Sequence, residues 1–452
     1  MKWNRFLGCG LALAGSLLAF PVSLTANDTA WWQAVPAPEE IYPQLGPILE
    51  SARQVNDRIL LSRLDRLSAE EGIRVNQSFL YPAVRASVNF NTSFESRDDL
   101  EENPTRANVN FGVSASQPIY HWGALQAGKD IAEIRAQIAA GQFEEAMHAV
   151  LNEVRASYLS LVLDRVLMDK NAFDTEVTGQ ILESRRNDLQ AGRLSREEFE
   201  IFELNHQEML EEGRYLRRLT ENRLRDFRIL VGRDDLTLEQ IPQEIPSFHY
   251  DGEIFSFLTE NSTSIPVQDV TAVQRLQDSL RIQELELFRT NTNLRPKLNF
   301  NVGATQDQLA AANTDASVRR LVLFASLNVN WNIFDGFRTD AERQMISIRT
   351  RQIRHQLSAL QQRRGAEFQN LLDSLDNAHR TLGIEERRVA LAEVELRRRE
   401  TERNDGRLSD LGWRQAQVAY FEKVLARAEA RARLLNEWSQ LKGFLQIDAS
   451  SR

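Results

Sequence analysis

The side chains that most often carry chemistry are few in this sequence, and none is spaced to perform it. The six histidines (His121, His148, His206, His249, His355 and His379) are scattered, and no two stand four residues apart, where a helix would present both imidazoles to one metal ion. Cys9 is the single cysteine and lies near the start, so the body of the chain offers no disulfide, thiol nucleophile or cysteine metal site. No nucleophile elbow, phosphate-cradling loop or dinucleotide fingerprint occurs, and the nearest glycine pair, Gly8 and Gly10, shares the region of Cys9. Carboxylates are abundant, but they alternate with arginine as on a solvated helical face. The expectation is therefore no catalytic residue, no metal ligand and no cofactor.

Chemistry of a different kind is present in residues that alternate. Val84, Ala86, Val88, Phe90, Thr92 and Phe94 interleave with Arg85, Ser87, Asn89, Asn91 and Ser93; Val109, Phe111, Val113 and Ala115 interleave with Asn110, Gly112, Ser114 and Ser116. Later, Leu298, Phe300, Val302 and Ala304 stand against Asn299, Asn301, Gly303 and Thr305, and Leu321, Leu323, Ala325, Leu327 and Val329 against Ser326, Asn328 and Asn330. Period two means four strands, each with an apolar face and a face rich in Asn and Ser. Such strands either lay one face on a soluble core or form a wall between lipid and water. Two features favour the wall: the loops Glu95–Ala107 and Gln306–Arg320 are polar with no helix to cover the apolar face, and Tyr81, Tyr120, Trp122, Trp331, Phe334 and Phe337 stand at strand ends, where interfacial aromatics belong. Val84, Val88, Phe90, Val109, Phe111, Leu298, Phe300, Leu327 and Val329 would then face lipid, and Arg85, Asn89, Asn91, Asn299, Asn301, Asn328 and Asn330 a water-filled lumen.

The elements that position these strands follow from an internal duplication. Shifting the chain by 214 residues sets Tyr81-Pro82 on Arg295-Pro296, Ile119-Tyr120 on Ile333-Phe334, and Gly192-Arg193-Leu194-Ser195 on the identical Gly406-Arg407-Leu408-Ser409. Each strand pair is followed by a proline-free stretch, Gly123–Ala191 or Phe337–Asp405, with helical periodicity and a length of roughly 100 Å as one helix. Within these stretches an apolar residue recurs every seven positions: Met147, Val154, Leu161 and Met168, then Phe368, Leu375, Leu382, Val389 and Leu396. Each Gly-Arg-Leu-Ser segment ends one helix and starts the next, with Ser195 as N-cap and Glu198 completing a capping box. Helices are expected before the strands, at about 45–76 and 269–293, and after the turns, at about 195–230 and 409–445.

The order along the chain is thus residues 1–26, a secretory signal with Lys2 and Arg5 ahead of an apolar run too short to span a bilayer; 27–232, a first repeat with strands at about 81–94 and 108–120; 233–266, a connector; and 267–452, a second repeat with strands at about 295–305 and 321–334. The fold class is α+β and mostly helical, with paired long coiled-coil helices and four strands per chain. A net charge of −9 argues against nucleic acid as a partner. Four strands cannot close on themselves in lipid, so a membrane wall demands copies; two chains would leave a lumen filled by side chains, whereas three give twelve strands and an aqueous passage.

In its duplicated order of helix, strand pair ending in QPIYHWG or NIFDG, long helix and glycine turn, essentially the whole chain after residue 26 resembles the TolC-like outer-membrane efflux protein family. The resemblance implies a homotrimer with a twelve-stranded barrel in outer-membrane lipid, continued by a periplasmic α-helical tunnel. It implies passive exit for substrates of a tripartite efflux pump or type I secretion system, with a periplasmic adaptor protein and an inner-membrane pump or exporter as partners. By the same resemblance Gly192, Arg193, Leu194, Ser195, Gly406, Arg407, Leu408 and Ser409 would dock the adaptor. Where some members carry acidic rings after the second turn, this chain has Gly412 and Gln415; Glu197, Glu198, Glu200 and Asp410 form an alternative acidic entrance. A soluble periplasmic coiled-coil scaffold without a pore is the alternative reading.

Overall fold

The computed structural model describes residues 35–94, 105–250, 271–310 and 317–445, with Gly252, Ile254, Phe255 and Leu258 between them. The segment expected to be a signal lies outside the described residues, as does part of the connector. Three helices open the described chain: α1 (Pro38–Ile41), α2 (Leu45–Val55) and α3 (Asp57–Ser78). Strands β1 (Ala83–Phe94) and β2 (Thr105–Tyr120) follow, then the long helix α4 (Ala124–Gln190) and its return α5 (Arg196–Val231). The second half runs α6 (Thr271–Asn291), β3 (Lys297–Ala310), β4 (Ser317–Asn330), α7 (Arg338–Asn404) and α8 (Asp410–Phe444). The starts of α3, β1, α4 and α5 each precede those of α6, β3, α7 and α8 by 214 residues, and α4 and α7 are both 67 residues long.

The duplication reaches the backbone dihedrals. Trp122 and Gly123 both have positive φ (58° and 78°), as do Gly336 and Phe337 (66° and 65°) at the matching places, so the same left-handed pair launches each long helix although the glycine has changed position. A non-glycine residue in that region costs about 1–2 kcal/mol. The indole of Trp122 is held by its Nε1 donating to the Pro296 carbonyl (2.7 Å), with the Arg295 guanidinium over its ring at 5.0 Å.

Helices that sequence periodicity merges are separate where a cap intervenes. The expected helix at 45–76 is broken at Asn56, whose side chain accepts from the Arg58 N–H (3.0 Å) and donates to the Leu230 carbonyl (2.9 Å). The cap and the anchorage to α5 together outcompete the continued helix. Strand ends also differ from expectation. β2 begins at Thr105 and β3 continues to Ala310, with Asp307 opposite Arg320 in register, because ladder pairing persists into polar stretches where alternation no longer marks it. Conversely, β4 ends at Asn330, and Trp331 donates from Nε1 to the Leu294 carbonyl (3.0 Å) as the chain leaves the sheet.

The apolar core forms a belt halfway along the long helices. Val150, Val154, Tyr158 and Leu161 of α4 meet Phe368, Leu375 and Leu382 of α7, Phe227 of α5 and Leu434, Leu435 and Trp438 of α8. Leu236, Ile241, Ile245, Phe255 and Leu258 of the connector are buried in the same cluster, so this segment packs as well as links. Each fully buried side chain of this size contributes about 1.5–3 kcal/mol. Polar ties fix the belt: Tyr42 donates to the Glu244 carbonyl (2.9 Å), Gln44 to the Tyr158 hydroxyl (2.8 Å), and Arg155 grips Glu39 through Nε (3.0 Å) and Nη2 (2.7 Å). The His379 ring stacks on Phe255 at 4.4 Å, edge-on to Tyr250, and burial holds its pKa below the usual histidine value. Toward the turns the packing thins: beyond Val177 in α4 and Val389 in α7, neither long helix buries a side chain within the chain.

Candidate functional site: strand wall and helical turns

The four strands form one antiparallel sheet in the order β1-β2-β3-β4. Its registers sort the sequence-predicted residues into two faces. Val84 lies opposite Ala115, Val88 opposite Phe111 and Phe90 opposite Val109; Leu298 faces Val329, and Phe300 faces Leu327. The β2–β3 register joins the rows, Ala115 opposite Val302 and Gln117 opposite Phe300, so all nine residues expected to meet lipid share one face. The other face carries Asn89 opposite Asn110, Asn299 opposite Asn328 and Asn301 opposite Ser326, together with Arg85, Asn91 and Asn330.

Among the described residues nothing covers the apolar face. Val88 is 65% exposed, Phe90 68% and Leu323 76%, values foreign to a sheet resting on its own core. Among the described residues no helix is long and apolar enough to cross a membrane. Aromatic rings gather where the sheet meets the helices: Tyr120 and Trp122 at 4.9 Å, Phe334 and Phe337 at 5.3 Å.

Some features of the wall escape the alternation rule. Gln117 shares the apolar face but is satisfied, donating to the Leu80 (2.9 Å) and Pro118 (3.0 Å) carbonyls. Phe324 lies on the polar face, its ring filling the space over Gly303, where a Cβ would come within 2.7 Å of it and 2.6 Å of the Val113 carbonyl oxygen. The glycine inside a strand was the available signal for that close approach. At the sheet's helical edge, His121 Nε2 and Asn299 Oδ1 are 3.0 Å apart, and Asp335 caps α7 by accepting from the Thr339 N–H (3.0 Å) and hydroxyl (2.5 Å). Those Thr339 hydrogen bonds hold the Asp335 carboxyl below the usual carboxylate range.

At the opposite end the two Gly-Arg-Leu-Ser turns have the same construction. Gly192 and Gly406 adopt φ of 69° and 73° and donate to the Leu189 and Arg403 carbonyls, while the next N–H, of Arg193 or Arg407, reaches back to Asp188 or Glu402. These are Schellman closures, which require the left-handed residue that glycine supplies. Ser195 then accepts from the Glu198 N–H (3.1 Å), and Glu198 accepts from the Ser195 N–H (3.0 Å). In the second turn Ser409 accepts from the Gly412 N–H (3.1 Å). Arg193 pairs with Asp188, Arg407 with Asp405, and Leu194 and Leu408 are half-buried. Of the four acids proposed for an entrance, Glu198 is occupied by its cap and Asp410 pairs with Arg403 at 2.6 Å. Glu197 and Glu200 are exposed on the first turn and a half of α5.

The layout of sheet, 67-residue helices and stacked return helices is that of outer-membrane channels. The chain matches the Campylobacter jejuni CmeC outer membrane channel with a TM-score of 0.67 and 14% identity, over 98% of this chain and 94% of that one. It matches the outer membrane protein VceC from Vibrio cholerae with a TM-score of 0.66 and 12% identity (91% and 98% covered), and the open-state MtrE outer membrane channel of Neisseria gonorrhoeae with 0.55 and 14% (88% and 89%). No curated protein matches the chain by sequence. The family model for outer membrane efflux proteins matches residues 48–198, spanning α3, both first strands, α4 and the first turn. Match and fold together bear out the resemblance to the TolC-like outer membrane efflux proteins, which are non-enzymatic channels.

Proposed function

We propose that three copies of this chain close a twelve-stranded barrel in the bacterial outer membrane, continued by an α-helical tunnel through the periplasm. The passage gives passive exit to the substrates of a tripartite efflux pump or type I secretion system, and its energy comes from an inner-membrane partner. The observation that carries this reading is a four-stranded sheet with a bare apolar face on one side and a row of asparagines on the other. Lipid and water would satisfy the two faces, whereas the open edges β1 and β4 need further strands, since each unpaired backbone group in lipid costs several kcal/mol.

The helices support the same assembly. Ile131 and Val177 of α4 are each 2% exposed, yet their repeat counterparts in α7, Met345 and Leu391, are 51% and 71% exposed. α4 packs on α3 and α5 and also on α6 and α8, while α7 packs on α6 and α8. The flank that α7 lacks is the one a neighbouring copy would supply. In this reading both Gly-Arg-Leu-Ser turns form the periplasmic end and dock the adaptor, and Glu197 and Glu200 supply negative charge at the mouth.

Purification in detergent, electron microscopy and conductance across a planar bilayer test the proposal. A three-fold particle with steady ohmic conductance is the expected result. A monomer that stays in water without detergent, as a periplasmic scaffold would, refutes it.

A further inference from the structure

Because the halves repeat at a fixed offset, the contact between them inside one chain is a template for the contact between one chain's second half and the next chain's first half. The transfer is arithmetic: a first-half residue advances by 214 and its second-half partner recedes by 214. Resting on the trimer proposed above, we propose that β4 and α7 of one copy meet β1 and α3 of the next in this transferred register, sealed by an ion pair between Asp335 and Arg85 of the next copy.

The strands give the first check. Along the regular part of the β2–β3 ladder, from Phe111 opposite Gln306 to Pro118 opposite Asn299, paired residue numbers sum to 417. The shift preserves that sum, placing Leu327 opposite Phe90 of the next copy, Val329 opposite its Val88, and Asn328 opposite its Asn89. Apolar residues meet apolar ones on one face and asparagine meets asparagine on the other. The transfer never used those side chains, and a slip of one residue would set Leu327 against Asn89.

Side chains at the junction give the second check. The template contact His121 to Asn299 becomes Asp335 to Arg85 of the next copy, a histidine–asparagine hydrogen bond turned into a pair of opposite charges. Among the described residues Arg85 has no hydrogen-bonding or ionic partner in its own chain, and it is exposed. Lower down, Gly141 lies against Thr271, and their counterparts are His355 and Asp57 of the next copy, again a base facing an acid. Gly123 against the Phe288 ring becomes Phe337 against Arg74 of the next copy, where an exposed ring gains a guanidinium. Three independent transfers thus each yield a complementary pair.

Cysteine pairs in the full-length protein, with Cys9 replaced by Ser, test the register in detergent-extracted membranes. Oxidised N328C/N89C protein should run as covalent dimers and trimers on non-reducing gels after boiling, several-fold above N328C/S87C, which is two residues out of register. Arg85→Glu should lower the temperature at which the unboiled trimer dissociates by several degrees, and Arg85→Lys should leave it near that of the unaltered protein. A three-fold particle that cross-links better at the displaced pair, or at neither, overturns the register and leaves the channel reading standing. A monomeric particle overturns both.

Discussion

Replacing Val88 by arginine tests which solvent each face of the wall meets. Val88 is the sixth of the twelve residues of β1, 65% exposed and opposite Phe111. At ~3.3 Å per residue the strand is ~40 Å long, and a tilt of 35–45° gives a height of ~30 Å, comparable with an apolar band of ~25 Å. Val88 therefore sits near the bilayer midplane, where an arginine costs about 2–4 kcal/mol per chain and about 6–12 kcal/mol for three copies. Asn89, one residue on and equally near the subunit boundary, points to the opposite face, where a hydrated arginine changes stability by about 0.5 kcal/mol or less. Folding from guanidinium into lipid vesicles, followed by the heat-sensitive mobility of the trimer, should show V88R failing at denaturant concentrations where N89R still assembles. Equal loss in both variants would mean that the two faces meet the same medium, and the barrel reading would fall with that result.

Other consequences are as direct. Ser195→Ala removes half of the capping box and should cost about 1 kcal/mol, visible as faster amide exchange in the first turn of α5 with the belt unaffected. Gly303→Ala places a methyl group against both Phe324 and the Val113 carbonyl and should lower the yield of assembled trimer; adding Phe324→Ala should recover only part of it, because the backbone clash remains. Burial depresses the His379 pKa in the folded chain, so between that value and the ordinary ~6.5 the unfolded chain binds more protons. Stability should therefore be complete above that range and fall as pH drops through it; His379→Gln should flatten the dependence, measured by denaturant midpoints from pH 8 to 5.

The long-range plan was legible in the sequence because a duplication prints the same pattern twice. The 214-residue offset located both long helices to within a residue, and alternation assigned Val88 and Asn89 to opposite faces, since period two follows directly from strand geometry. Seven-residue spacing likewise found Val154, Leu161, Phe368, Leu375, Leu382 and Val389, all of which are buried. What escaped depends on contacts between distant segments. Phe324 breaks the polar face because Gly303, on another strand, makes room for its ring, and Asn56 breaks a helix because the Leu230 carbonyl is within reach. Asp410 looks free in the sequence, but Arg403 across the turn claims it, whereas the capping box that occupies Glu198 was legible from its spacing to Ser195.

The apolar belt sits near the midpoint of each long helix, leaving about 33 residues, or roughly 50 Å, between it and the glycine turn. A rod gripped at its centre behaves as a lever. Pivoting either helix as a rigid rod by about 5° at this fulcrum would swing its turn end sideways by roughly 4 Å and its strand end by a similar distance the opposite way, so movement at the glycine turns would be felt at the strand wall.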